Sequence, residues 1–337
     1  MRKIAERIFR LFGSREFLLF LILALTFYIG IERVGLFRLE PAHYREIFHS
    51  LSCRVLGTLF VVHAVSGIIF LFKEKQVKHR AGSFLFFLSI IVMVLGLWVS
   101  IFTRFEGKTL KSELERFNAF KSEYDPRSLY ITNEKRIPRV RITVVKIDPD
   151  PSSYMKSMDR ITADILYSSR SFRGVRDGKL SSYRPLFSDW TMVRITDFGY
   201  VPKYVLYDLQ EKELESRWVH MKLFPAGAED YFEAMFMGYL FYLKCYPDYT
   251  DEGGVPGTLS VVPNNPVFNL RIIRNKDIVY DGLLKPDEKL RFDRHVVAVP
   301  EVKVWIEISF VRDFGLPVGL FGMVMMAAGV GLMMRKR

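Results

Sequence analysis

The stretch AGSFLFFLSIIVMVLGLWVSIFT, Ala81–Thr103, runs 23 residues without a charge. A bilayer's hydrocarbon core takes about 20 helical residues to cross, so this segment is long enough to span. Three more runs resemble it. Upstream lies Val55–Phe72, VLGTLFVVHAVSGIIFLF. Before that comes Phe17–Ile31, FLLFLILALTFYIGI, which Val34–Phe37 extends past Glu32 and Arg33, giving a span of about 17–37. The two charges can snorkel at the interface. Far downstream stands Phe314–Met334, FGLPVGLFGMVMMAAGVGLMM, followed by Arg335-Lys336-Arg337. One such run alone would be compatible with a buried core helix. Three within the first 103 residues, each flanked by charge, argue for an integral membrane protein with four transmembrane helices.

Composition agrees. Half of the 337 residues are hydrophobic and 15% aromatic, while 26% are charged. A mean hydropathy of +0.11 from that mixture means apolar and charged residues are segregated along the chain. Where the net charge of +12 sits decides what it means. Arg104–Arg312 holds 33 basic and 30 acidic residues, leaving most of the excess in the membrane flanks. The charge therefore reports topology and gives no sign of nucleic-acid binding.

The flanks also set an orientation. Arg2, Lys3, Arg7, Arg10 and Arg15 precede the first span, and Lys73, Lys75, Lys78 and Arg80 lie between the second and third. With the three residues of the tail, these twelve fall on one side if the helices alternate. The loop between spans one and two has four Arg diluted by Glu32, Glu40 and Glu46. The positive-inside rule then puts both termini in the cytoplasm and Arg104–Arg312 outside. No small-x-small cleavage site follows the first span, which is expected to stay in the membrane. The organisation is thus a membrane domain over 1–103, an extracytoplasmic domain over 104–312, and a closing helix with basic tail over 313–337.

The outer segment is long enough for one sizeable core. Lys108–Phe120 has helical spacing at Leu110, Leu114 and Phe117 and is expected to form a short helix on the membrane face. From Arg139 the period changes to two. RVRITVVKI, ITADILYS, WTMVRITDF, KYVLYDL, RWVHMKLF, VFNLRII, DIVYDGLL, HVVAVP and VKVWIEISFV read as strands. Asp148-Pro149, Asp177-Gly178, Gly253-Gly254 and Asn275-Lys276-Asp277 read as turns between them. That spacing predicts an all-β antiparallel sandwich or open barrel between the third and fourth helices. Tyr231–Tyr246, apolar without clean alternation, is either a buried strand or a bilayer contact.

No catalytic constellation stands out. There is no Gly-x-Ser-x-Gly, phosphate loop or His-Glu-x-x-His, so no catalytic residue is assigned. Two Cys and no Cys-x-x-Cys exclude a disulfide framework, a Cys-rich zinc site and c-type haem attachment. Cys53 and Cys245 both fall on the outer side, but their spacing gives no support for pairing. His43, His49 and His79 lie in loops or flanks, and His220 and His295 in the β segment. His63 is different, because it stands well inside a span, where an imidazole is costly. It is either a haem-iron ligand or an interhelix hydrogen-bonding group reaching Ser66, Thr58 or a backbone carbonyl. The methionines of span four read as adaptable packing, and its glycines 319, 322, 329 and 331 as close helix contact.

Several short motifs recur in an order worth noting. Arg104-Phe105-Glu106-Gly107 leaves the third span. Pro185-Leu186-Phe187 precedes Asp197-Phe198-Gly199-Tyr200-Val201-Pro202-Lys203-Tyr204-Val205-Leu206. Asn264-Asn265-Pro266-Val267, Asp281-Gly282 and Arg312-Asp313-Phe314-Gly315-Leu316-Pro317 follow. In this order and with this topology, from about residue 16 to 334, the chain resembles the ResB/CcsB-like family of System II cytochrome c biogenesis. The resemblance implies a non-catalytic membrane subunit. Such a subunit acts with a CcsA/ResC-type partner to export haem and deliver it to apocytochrome c. Haem would be held transiently and shared with that partner, with His63 as the candidate ligand. Family members implicated in haem transfer carry a His near the start of the third span, a stretch that aligns with Phe86-Phe87 here. The competing expectation is a membrane-anchored β scaffold for another redox or transport complex, which never touches haem.

Overall fold

The computed structural model describes residues 14, 17, 21, 51–73, 80–131, 134–149, 161–223, 227–234, 238–286 and 288–334. Of the first span, only Phe17 and Leu21 fall among these, so the remainder of about 17–37 lies outside the described residues. So do His43, His49 and His79, and all but two of the twelve basic flank residues, Lys73 and Arg80. The chain divides into two compact units. One holds Met1–Glu106, Pro126–Ile137 and Val311–Arg337, and the other Gly107–Asp125 and Pro138–Phe310.

Among the described residues, the first unit contains three helices long and apolar enough to cross a membrane: α1 (Leu51–Lys73), α2 (Arg80–Thr103) and α3 (Gly315–Met334). At 1.5 Å per residue they measure about 35, 36 and 30 Å. Val62, Val65, Leu95, Leu320 and Phe321 are exposed on them. A helix that stays apolar on its outward side suits a lipid environment. The helix pair α2–α3 runs antiparallel and is built on small residues seven apart. Gly82, Ser89 and Gly96 on α2 face Gly329, Gly322 and Gly315 on α3. A methyl added at Gly96 would lie 2.6 Å from the Gly319 amide nitrogen, and one at Gly329 would lie 2.8 Å from that of Phe86. The backbones therefore touch. Gly319 and Gly331, also expected at this contact, have open space where a side chain would stand.

The second unit is an antiparallel β structure. The stretch Lys108–Phe120, expected to be helical, instead forms β1 (Phe105–Ser112) and β2 (Arg116–Phe117). Of its three apolar markers only Phe117 is buried; Leu114 is 80% exposed and turns at φ 64°. Pairing with distant strands overrode the local period. After the short β3 (Tyr130–Ile131) come β4 (Arg141–Pro149), β5 (Ile161–Ser168) and β6 (Arg176–Ser181), stacked in the order β2-β4-β5-β6. Alternation along β4 and β5 sends Ile142, Val144, Ile161, Ala163 and Ile165 inward. Asp177-Gly178, expected to be a turn, lies inside β6 and pairs with Leu166 and Ile165.

Next come β7 (Leu186–Ser188), β8 (Thr191–Asp208) and β9 (Glu213–Trp218). A second sheet follows from β10 (Glu229–Glu233) and β11 (Tyr239–Tyr246), so Tyr231–Tyr246 is a strand hairpin rather than one element. β12 (Tyr249–Glu252) and β13 (Val255–Thr258) close at Gly253-Gly254, both in the left-handed region. β14 (Val267–Arg274) and β15 (Asp277–Leu284) turn on Asn275-Lys276, as expected, with φ of 51° and 76°. β16 (Lys289–Phe292) and β17 (His295–Arg312) complete the chain, and the strand order is β10-β11-β14-β15 in one sheet and β1-β17-β8-β7 in another. The two 18-residue strands β8 and β17 each unite two runs that Gly or Pro separates in sequence.

Candidate functional site

His63 is 1% exposed on α1. The ring of Phe87, from α2, meets its imidazole edge-on at 5.5 Å between centroids, and Phe17 lies at 6.0 Å. Gly67, one turn along α1, makes room for Phe87: a methyl there would lie 2.7 Å from Phe87 Cδ1. The Phe87 ring thus closes over the one described imidazole of α1. Of the hydrogen-bonding residues expected near His63, Ser66 is buried beside it on α1, whereas Thr58 donates to the Arg54 carbonyl of its own helix at 2.8 Å.

An imidazole is a sound single axial ligand for haem iron. The enclosure described here does not fit a bound porphyrin, because the Phe87 ring occupies one flank of His63. Among the described residues no three His, Cys, Asp or Glu converge as a metal site. Cys245 is a free, fully buried thiol, and burial pushes its pKa upward. The thiol is thus kept in its unreactive form.

A second constellation gathers the motifs that bracket the β segment. Asp313 caps α3: its Oδ1 accepts from the amides of Gly315 and Leu316 at 2.9 and 3.2 Å. Its Oδ2 accepts the Ser100 hydroxyl at 2.6 Å and lies 3.8 Å from Arg104 Nη1. Arg104 in turn donates to Glu106 at 2.8 Å. Around this pair of crossings, the Tyr130 hydroxyl donates to the Ile101 carbonyl, and Arg312 and Arg136 lie over the face of Phe314 at 5.0 and 5.9 Å. A carboxylate at a helix N-terminus is stabilised by the exposed amides and the helix dipole. The cluster clamps the end of α2 to the start of α3.

Of the remaining motif residues in the β unit, Phe198, Tyr200 and Tyr204 pack its interior. The Tyr200 hydroxyl donates to the Val261 carbonyl at 2.8 Å, fully buried. Trp305 Nε1 donates to the Met221 carbonyl at 2.9 Å, and its ring presses on Gly199, where a methyl would come within 2.6 Å of it. Asp197 pairs with Lys222 at 2.6 Å, and Asp281 with Arg271 at 3.1 Å. Sequence reasoning missed a polar group here: Tyr239 donates to Asp293 at 2.6 Å and Arg274 joins both, beside the His295 ring at 5.5 Å. Its members come from three separate strands and turns, which no local spacing reveals.

No known protein family matches the chain by sequence, and no match is found among curated proteins.

Proposed function

We propose that this chain is a ResB-like membrane subunit that acts with a CcsA/ResC-type partner in haem export and delivery to apocytochrome c. The proposal includes four spans, the first being about 17–37, cytoplasmic termini, and a sandwich- or barrel-like β domain outside the cytoplasmic membrane. The observation that supports it best is the Arg104–Glu106–Asp313 clamp. The two motifs that flank the β segment in the resembled layout meet there through side chains. A subunit that contributes position rather than bond-making needs such a rigid join between its helices. Haem would supply the redox-active iron carried to the client. This chain's part would be to hold its helices and β domain in place for the partner, with His63 as the candidate haem ligand that the test below keeps or retires.

A second reading keeps the same architecture without haem: a β scaffold for another redox or transport complex. The closed packing of Phe87 on His63 favours it. Co-purification with a CcsA-type protein separates the two, with haem measured per folded complex. In the first reading His63→Ala lowers that ratio at near-normal abundance. An unchanged ratio retires the ligand role, and failure to co-purify retires the partnership. Reporter fusions at Lys78 and Lys336 should score cytoplasmic and one at Asp251 should score extracytoplasmic; the reverse at Asp251 ends both readings.

A further inference from the structure

The β unit carries one end whose surface chemistry differs from the rest. Between Ser169 and Arg194 stand Arg170, Arg173, Arg176, Lys179, Arg184 and Arg194, all exposed, against Asp177 and Asp189. Six basic and two acidic residues leave +4, more than the net charge of the whole of Arg104–Arg312. Exposed apolar side chains share this end: Val175 at 66%, Tyr183 at 68%, Phe187 at 71% and Trp190 at 73%.

Tertiary bonds hold these segments together. The Ser188 hydroxyl donates to that of Ser169 at 2.8 Å, joining the turn after β5 to β7. Arg184 N donates to Ser181 Oγ, and Ser182 Oγ to the Ile195 carbonyl. Arg176 lies over the Phe172 ring at 4.1 Å. The β7–β8 hairpin turns on Asp189 and Trp190, with φ of 51° and 57°. Such turns favour Asn-Gly, and an indole gains nothing there for the turn itself.

Strand register places the hairpin along β17. Thr196 of β8 bonds Glu307 of β17, and Gly199 touches Trp305, so the two strands run antiparallel. Passing back from Thr196 to Thr191 therefore leads along β17 from Glu307 toward Arg312.

We propose that this aromatic and basic end, centred on Trp190 and Phe187, docks on the anionic headgroup region of the bilayer that the helices cross. Trp and Tyr favour the membrane–water boundary, and clustered Arg and Lys favour anionic lipid surfaces. The proposal rests on the membrane-spanning reading of α1–α3.

The test uses the full chain in lipid nanodiscs, with bromine placed on the lipid either near the headgroup or deep in the tail. Subtracting the emission of Trp190→Phe from that of wild type isolates Trp190 from Trp98, Trp218 and Trp305. Shallow bromine should remove most of the Trp190 component in anionic discs, and Arg170→Glu with Arg173→Glu should restore much of it. Deep bromine should quench Trp98 of α2, and its failure to do so would overturn the spanning reading and this proposal together. With Trp98 quenched, a Trp190 that ignores bromolipid and stays open to aqueous iodide overturns the docking alone. Protection from iodide without lipid quenching would assign the patch to a protein partner and overturns it equally.

Discussion

The α2–α3 pair and the interior of the β unit are both tightly packed, and they use opposite materials. The helices meet through Gly82, Gly96, Gly315, Gly322 and Gly329, with backbone against backbone. The β unit fills its interior with rings. Phe117 and Phe310 lie 4.6 Å apart with Tyr124 edge-on to both, and Phe232 stacks on Phe241 at 5.1 Å. The membrane crossing proposed for the helices accounts for the difference. In water, large apolar side chains are driven together by the surface they hide. Among lipid tails that drive vanishes, and close contact between smooth surfaces has to supply the attraction.

The comparison can be broken at several points. The largest expected effect is in the ring cluster. Phe310→Ala, at a position with no exposure, should cost about 3–5 kcal/mol and unfold the β unit at lower denaturant while α1–α3 persist. Tryptophan emission and helical circular dichroism, followed in parallel, check this. On the helix side the sign of a common substitution should invert. Gly→Ala in an ordinary helix interior gains roughly 0.5–1 kcal/mol, yet at Gly96 the new methyl meets the Gly319 backbone, and overpacking costs about 1–3 kcal/mol. Gly331→Ala, facing open space, should be neutral or stabilising. Unfolding of both variants in mixed micelles tests the pair, and equal effects would contradict the backbone contact.

Smaller effects sharpen the same contrast at the edges. Asp313→Ala should lose about 1 kcal/mol of capping and fray the start of α3, while Asp313→Asn keeps most of it. Amide exchange at Gly315 and Leu316 reads this directly. The smallest effect belongs to Asp293, whose carboxyl is held below the usual carboxylate range by the Tyr239 hydroxyl and then by Arg274. A depressed folded-state pKa gives stability that is full above the unfolded value of about 3.9 and is lost as pH falls through the folded value. Asp293→Asn should therefore flatten the acid limb of the stability profile below about pH 4 and leave neutral pH almost unchanged.

Much of this was legible from sequence because the signals are local. β5 and β15 match the runs ITADILYS and DIVYDGLL residue for residue, and in β5 one buried face of Ile161, Ala163 and Ile165 dictates the period. α2 and α3 follow from uninterrupted apolar length. What failed to read was non-local. β8 continues through Gly199 and Pro202, where sequence suggests a break, because Tyr200 exchanges backbone hydrogen bonds with Met221. β1 reads as a helix because its partner β17 lies nearly two hundred residues away. The glycine register on α3 was partly legible. Gly319, Gly322 and Gly329 do touch α2, but which glycines face it depends on helix rotation, and Gly315 was not singled out. For His63, its place inside a span was plain, whereas the Phe87 ring over it comes from another helix.

The neighbouring positions of β1 and β17 also bear on how the protein is made. Among the described strands β1 is the first to leave the ribosome and β17 the last, with Lys108 and Glu307 joined at 2.7 Å across the finished sheet. Until β17 is made, β1 has no strand to fill the gap between it and β8. Nearly the whole β unit must therefore wait, partly assembled and with open edges, for a segment delivered just before α3. Contacts of that sequence separation make for slow folding and leave aggregation-prone edges exposed meanwhile. A chain cut short before His295 would lack the strand that closes the sheet along with the helix that follows it, so truncation products should be cleared rather than accumulate as a folded remnant.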